Sequence, residues 1–179
     1  MIHWSKNIKL HRNTLFLISC FTFIISFSLA GCFSYKFKDV SIPPEVKTVK
    51  VNFIENRARY VNPQLSPKLT DKVRQKITGQ TRLTQTNNDN PDWEISGEIR
   101  DYSVSTSGIS NQREATNRLT VAVHIILYDR LKEETKEHDV SRSYEFSASQ
   151  SLQQAEARLS DEMIRTLTDE IFNRIFSNW

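Results

Sequence analysis

LTVAVHIILY, residues Leu119 to Tyr128, is the stretch on which the fold turns. Leu119, Val121, Val123, Ile125 and Leu127 form an unbroken apolar row at a spacing of two, and Thr120, Ala122, His124, Ile126 and Tyr128 take the other face. Successive side chains of a strand point to opposite sides of a sheet, so such a row predicts a strand with one side against a core. The second face is itself partly apolar, which makes this the best candidate for a central strand.

The neighbouring stretches extend the pattern. Upstream, Trp93, Ile95, Gly97 and Ile99 alternate with Glu94, Ser96, Glu98 and Arg100, predicting a strand with one wet face. Between the two strands, Ser105 to Thr116 is rich in Ser, Thr, Gly and Asn and turns the chain. A loop of that length is uncommon without a use, although a plain hairpin connection is the other reading. Downstream, Arg130 to Asp139 reads as a charged connection, and Val140 to Ser147 alternates more weakly around Tyr144 and Phe146. Three successive strands with short links predict an antiparallel meander.

Helical periodicity flanks this meander. From Ser151 to Ser177 the spacing changes to three and four, with Leu152, Ala155, Leu159, Met163, Leu167, Ile171 and Ile175 on one face. Phe172, Phe176 and Trp179 widen the apolar surface at the end. Nearer the amino terminus, Val49, Val51 and Phe53 alternate with Thr48, Lys50 and Asn52 as a half-buried strand. Asn62-Pro63 then opens a helix carrying Leu65, Leu69, Val73 and Ile77, which Gly79 ends. Arg82 to Gln85 leaves room for a short strand, and Thr86 to Asp92 (TNNDNPD) is a turn-rich surface loop. The expected architecture is an α+β two-layer sandwich in the order β-α-β-β-β-α. Two helices pack on one face of a four-stranded, mainly antiparallel sheet, within a domain over residues 45–179.

Residues 1–31 have a different character. Lys6, Lys9 and Arg12 form a basic head, Thr14 to Leu29 has no charge, and Leu29-Ala30-Gly31-Cys32 closes the segment. This is the layout of a removable secretory signal, and the apolar run falls short of the roughly 20 residues that a membrane-spanning helix needs. Leu-Ala-Gly-Cys resembles the lipobox of bacterial lipoproteins. The resemblance implies cleavage between Gly31 and Cys32 and acylation of Cys32, with residues 32–44, ending in Ile42-Pro43-Pro44, as a lipidated tether. One acyl chain holds a protein marginally and two or more hold it stably.

Removing the signal changes the composition. The chain has 24 Lys+Arg and 21 Asp+Glu, and the signal's three charges are all basic, so the mature chain is balanced. Nucleic-acid binding thereby loses its only global support. Cys20 leaves with the signal, so Cys32 is the only mature cysteine, and once acylated it can neither form a disulfide nor ligate a metal. His124 and His138 share no metal-ligand spacing with each other or with acids. Phosphate loops, nucleophile elbows and zinc-protease helices are absent from the sequence. Glu94 and Glu98 share a strand face, which reads as a solvated edge. The reading is a non-enzyme with no cofactor beyond the covalent lipid on Cys32.

Two features are suited to binding. Lys68, Lys72 and Lys76 recur at steps of four beside the first helix's apolar stripe, with Arg74 on another face. They are either the solvated flank of a helix or a contact for an acidic partner such as a lipid phosphate. Arg113 lies near the end of the Ser105 to Thr116 loop.

Across nearly all of residues 32–179 the mature chain resembles the LptE family of outer-membrane lipopolysaccharide-assembly lipoproteins. The resemblance rests on the lipobox cysteine and aromatic tether, Lys47-Thr48-Val49, Asn56-Arg57-Ala58 and Val61-Asn62-Pro63. It continues in Asn117-Arg118-Leu119-Thr120-Val121 and the ending Ile171-Phe172-Asn173-Arg174 to Asn178-Trp179. It implies two helices on one face of a four-stranded sheet and no catalytic residues. It also implies a partner: such proteins sit as plug and assembly factor inside an LptD-type outer-membrane β-barrel, and can bind lipopolysaccharide. Phe33 follows the cysteine and residues 33–37 contain no acid, which by resemblance favours the periplasmic leaflet of the outer membrane. A stand-alone periplasmic lipid-binding lipoprotein is the alternative, and it would need an apolar pocket between helices and sheet. A hydrolase would need a cleft holding acids or histidines with perturbed pKa values.

Overall fold

The structure is a computed structural model that describes residues 42–107 and 116–177. The signal, Gly31, Cys32, nearly all of the tether, Arg113 and Trp179 lie outside the described residues. The elements are β1 (Thr48–Asn56), α1 (Leu65–Gln80), β2 (Thr84–Gln85), β3 (Trp93–Ser107), β4 (Thr116–Asp129), β5 (Glu134–Ser147) and α2 (Leu152–Phe176). The α+β class and the order of the main elements agree with the sequence reading.

The sheet itself departs from that reading. It has five strands in the order β2-β1-β3-β4-β5, with β4 an interior strand as expected, flanked by β3 and β5. β3, β4 and β5 form the expected antiparallel meander, whereas β1 runs parallel to both of its neighbours. The cause is connectivity. Parallel neighbours need a crossover, and α1 supplies one between β1 and β3. The two-residue β2 survives as an edge strand because Thr84 N–H donates to Lys47 O and Thr86 N–H to Val49 O, both at 2.9 Å. The charged stretch from Arg130 to Asp139 is mostly strand as well. Only a short turn precedes Glu134, with Glu133 at a φ of 53°. Charged side chains are tolerated there because β5 is an edge strand.

The predicted apolar rows largely form the core. Leu119, Val121, Val123, Ile125 and Leu127 of β4 are buried, together with Leu65, Leu69, Val73 and Ile77 of α1. From α2, Ala155, Leu159, Met163, Leu167 and Ile171 join them. A Ser151–Gln154 capping box fixes the start of α2. α1 starts two residues after Pro63 and runs one residue past Gly79.

Phe53 breaks the predicted alternation. It is 52% exposed while Ile54 is 1% exposed, because the β1–β3 register shifts between Val51 and Ile54. An irregularity of this kind leaves backbone groups without ladder partners. Helix α1 satisfies them. Arg74 donates from Nε and Nη2 to Val51 O at 3.1 and 2.8 Å, and Ile54 N–H donates to Thr70 Oγ1 at 3.0 Å. Thr70 is fully buried and its hydroxyl donates onward to Ser66 O at 2.8 Å. Thr70→Val keeps the volume and strands the Ile54 N–H, so chemical denaturation should show a loss of about 1–2 kcal/mol.

Candidate functional site

The helices run side by side in the same direction, and their outward faces bound a long groove. Of the predicted lysines, Lys76 is already engaged: its Nζ lies 2.7 Å from Asp169 Oδ1 and 5.1 Å from the Phe172 ring centroid. It therefore ties α1 to α2. Lys68 donates to Gln64 Oε1 at 3.1 Å. Lys72 faces Arg165 across the groove, and both lack an ion-pair partner among the described residues. Asp71, Asp161 and Asp169 interleave with these cations, so the groove is of mixed charge rather than a basic ridge. Arg165 and Asp161 went unnoticed in the sequence because the helix pairing that opposes them to the lysines is a tertiary fact.

At the amino-terminal ends of the helices the groove widens to about 610 Å³. Tyr60, in the β1–α1 connection, stacks on Tyr102 of β3 with ring centroids 5.3 Å apart. Tyr102 donates to Glu156 Oε1 of α2 at 2.6 Å, and Tyr60 OH reaches Oε2 at 3.5 Å. Burial first, and then the Glu156 carboxylate, push both phenols above their ordinary range, so they stay protonated and donate. Residues 60, 102 and 156 meet here from three separate elements. No local sequence signal announces the trio.

The sheet face away from the helices carries a different arrangement. Arg57 pairs with Glu55 at 2.9 Å and with Glu98 at 3.3 Å, and Arg100 pairs with Glu98 at 2.7 Å and with Asp139 at 3.8 Å. His124, only 4% exposed, places Nδ1 2.8 Å from Asp139 Oδ1. The bond from His124 holds the Asp139 carboxyl below its usual range, and the Arg100 bond does the same for Glu98. His138 occupies the opposite face, and burial, then Arg174, lowers its pKa. His124 and His138 thus point to different sides of the sheet. Among the described residues no group of His, Cys, Asp or Glu is arranged to hold a metal ion.

A family model described as "LptE: Lipopolysaccharide-assembly" matches residues 46–175. No curated protein matches the chain. Among solved structures, the chain is similar to a hemagglutinin homolog from Helicobacter pylori, with 10% identity, 81% of this chain and 91% of that one covered, and a TM-score of 0.50. It is also similar to a minor lipoprotein from Acinetobacter baumannii, with 14% identity, 72% and 91% coverage and a TM-score of 0.49. An uncharacterized lipoprotein B from Nitrosomonas europaea aligns at 15% identity, 79% and 87% coverage and a TM-score of 0.44. At such identities a structural likeness speaks to the fold alone.

Proposed function

Since the chain belongs to the LptE lipopolysaccharide-assembly family, we propose that it works by docking as a plug within an outer-membrane β-barrel of the LptD type. A role in lipopolysaccharide assembly follows from family membership, and the match over residues 46–175 is the observation that carries it. In this reading residues 1–31 are removed and acylated Cys32 is the anchor at the periplasmic leaflet. Residues 32–44 are then the tether, and residues 45–179 the docking domain. Among the described residues no helix is long and apolar enough to cross a membrane.

The surface offered to the barrel is the open face of the sheet. A barrel lumen is polar, and this face presents the Glu55–Arg57–Glu98–Arg100–Asp139 network beside the half-exposed ring of Phe53. The stand-alone lipid carrier fits less well. Leu69, Ile77, Ile95, Ile125, Met163 and Leu167 fill the space between helices and sheet to 1% exposure or less.

Affinity purification of the tagged, lipidated protein from detergent-solubilised outer membrane tests the reading. A β-barrel is expected to co-purify, and depletion of the protein should make lipopolysaccharide accumulate before it reaches the outer leaflet. Arg57→Glu is expected to lower barrel recovery several-fold while the fold is retained, the exposed ion pairs it breaks with Glu55 and Glu98 each contributing little to stability. Recovery as a free monomer, with normal lipopolysaccharide export after depletion, would overturn the docking reading. Undiminished recovery with Arg57→Glu would move the interface to another face.

A further inference from the structure

We propose that the groove between the amino-terminal ends of α1 and α2 is a saccharide-binding site. Leu65 and Met163, both buried, lie beneath it. Its rim combines one aromatic ring with short polar side chains. At about 610 Å³ it lies in the size range of small-ligand sites, roughly 300–1,000 Å³.

The chemistry selects the ligand class. Tyr60 rests one ring face on Tyr102 and is 44% exposed, so its other face is open for stacking against the C–H face of a pyranose. Glu156 has one oxygen, Oε1, taken by the 2.6 Å bond from Tyr102. The other, Oε2, receives only the 3.5 Å contact from Tyr60, at the limit of a hydrogen bond, and remains able to accept a hydroxyl. Gln64 uses its Oε1 for Lys68, which leaves its side-chain NH₂ free to donate. Gln153 lines the same groove and offers both a donor and an acceptor. Acceptors and donors therefore share the groove with a stacking platform, the combination that ring hydroxyls and a pyranose face require.

The charge balance argues against a phosphate or other small anion. Among the described residues, Lys68 and Glu156 are the only charged ones lining this part of the groove, and they offset each other. A site for a doubly charged anion would hold the carboxylate away. Glu156 lies twenty residues before Phe176 on α2, roughly 30 Å at 1.5 Å per residue, and the Phe176 end packs against Trp93 near Pro43, where the tether enters. The groove thus stands at the end of the domain remote from Pro43.

Ligand-observed saturation-transfer NMR on the detergent-solubilised, lipidated protein tests the proposal. The probes are maltotriose and the lipid-free oligosaccharide released from lipopolysaccharide by mild acid, with inorganic phosphate as competitor. Transfer to at least one saccharide is expected, persisting in excess phosphate and falling several-fold in Tyr60→Ala and in Gln153→Ala. Gln153 is exposed, so Gln153→Ala is expected to keep the wild-type melting temperature, and Tyr60→Ala to lose no more than the stacking on Tyr102. No transfer to either saccharide, transfer unchanged in both variants, or displacement by phosphate would overturn it. The groove reading stands apart from barrel docking: Tyr60→Ala should still recover the barrel, so the two can fail separately.

Discussion

Replacing Gly97 with valine is expected to cost about 3 kcal/mol or more and to lower the melting temperature by about 10 °C. Gly97 pairs with Ile54 of β1 on one side and Ile125 of β4 on the other. Those two isoleucines close over the glycine on the helix-facing side. A Cβ there would stand 2.6 Å from Ile125 Cδ1, 2.9 Å from His124 O and 3.7 Å from Ile54 Cγ1. The first contact is with the end of a side chain and can be relieved, whereas the second is with backbone in the adjacent strand and can relax only by moving the strand. Left-handed backbone geometry plays no part, because no described glycine has positive φ. A double mutant separates the contributions. Ile125→Val deletes Cδ1, so in a Gly97→Ala background it should recover part of the loss, measured as a coupling energy in a denaturation cycle. Full recovery would show that the carbonyl contact carries no cost, and no recovery that the side-chain contact carries none.

Gly97 also marks where sequence patterning stops being informative. The spacing of Trp93, Ile95, Gly97 and Ile99 predicted the strand, but only the two neighbouring strands explain why one position of the row is empty. The β4 row and both helical stripes were legible because each depends on the period of a single element. Phe53 was misplaced because a local register shift changes that period, and the groups that stabilise the shift, Thr70 and Arg74, lie on another element. The parallel placement of β1 was missed for a related reason. The three adjacent strands suggested a mainly antiparallel sheet and left the direction of β1 open, although a helix between β1 and the next long strand is a cue for a crossover. Among the candidate binding residues, Lys68, Lys72 and Lys76 were found by spacing. The acids beside them and the Tyr60–Tyr102–Glu156 cluster depend on long-range pairing, which composition and periodicity do not encode.

Acidification should expose a second strong dependence, centred on Asp92. Its Oδ2 accepts from Lys47 N–H and Thr48 N–H, each at 2.8 Å, and from Thr48 Oγ1 at 2.9 Å. Asp92 N–H in turn donates to Thr48 Oγ1 at 2.9 Å. The residue immediately before β3 thus clamps the residue that begins β1, 44 positions earlier, and sets the register of the only long parallel pair in the sheet. The Lys47 N–H bond is the largest of the effects that hold the carboxyl below its ordinary range, and burial opposes it. A carboxyl whose pKa is depressed in the folded state contributes stability above its unfolded value, near pH 4, and loses it as pH falls through the folded value. Asp92→Ala should therefore cost about 2 kcal/mol at neutral pH, with a smaller penalty in acid, where the wild-type carboxyl is itself protonated. Asp92→Asn retains one acceptor oxygen without the charge. It should be intermediate at neutral pH and should flatten the decline in stability below about pH 4. Denaturant midpoints of the three proteins across that window check the sign. Parallel pH profiles would show that the clamp works through geometry alone and owes nothing to the charge.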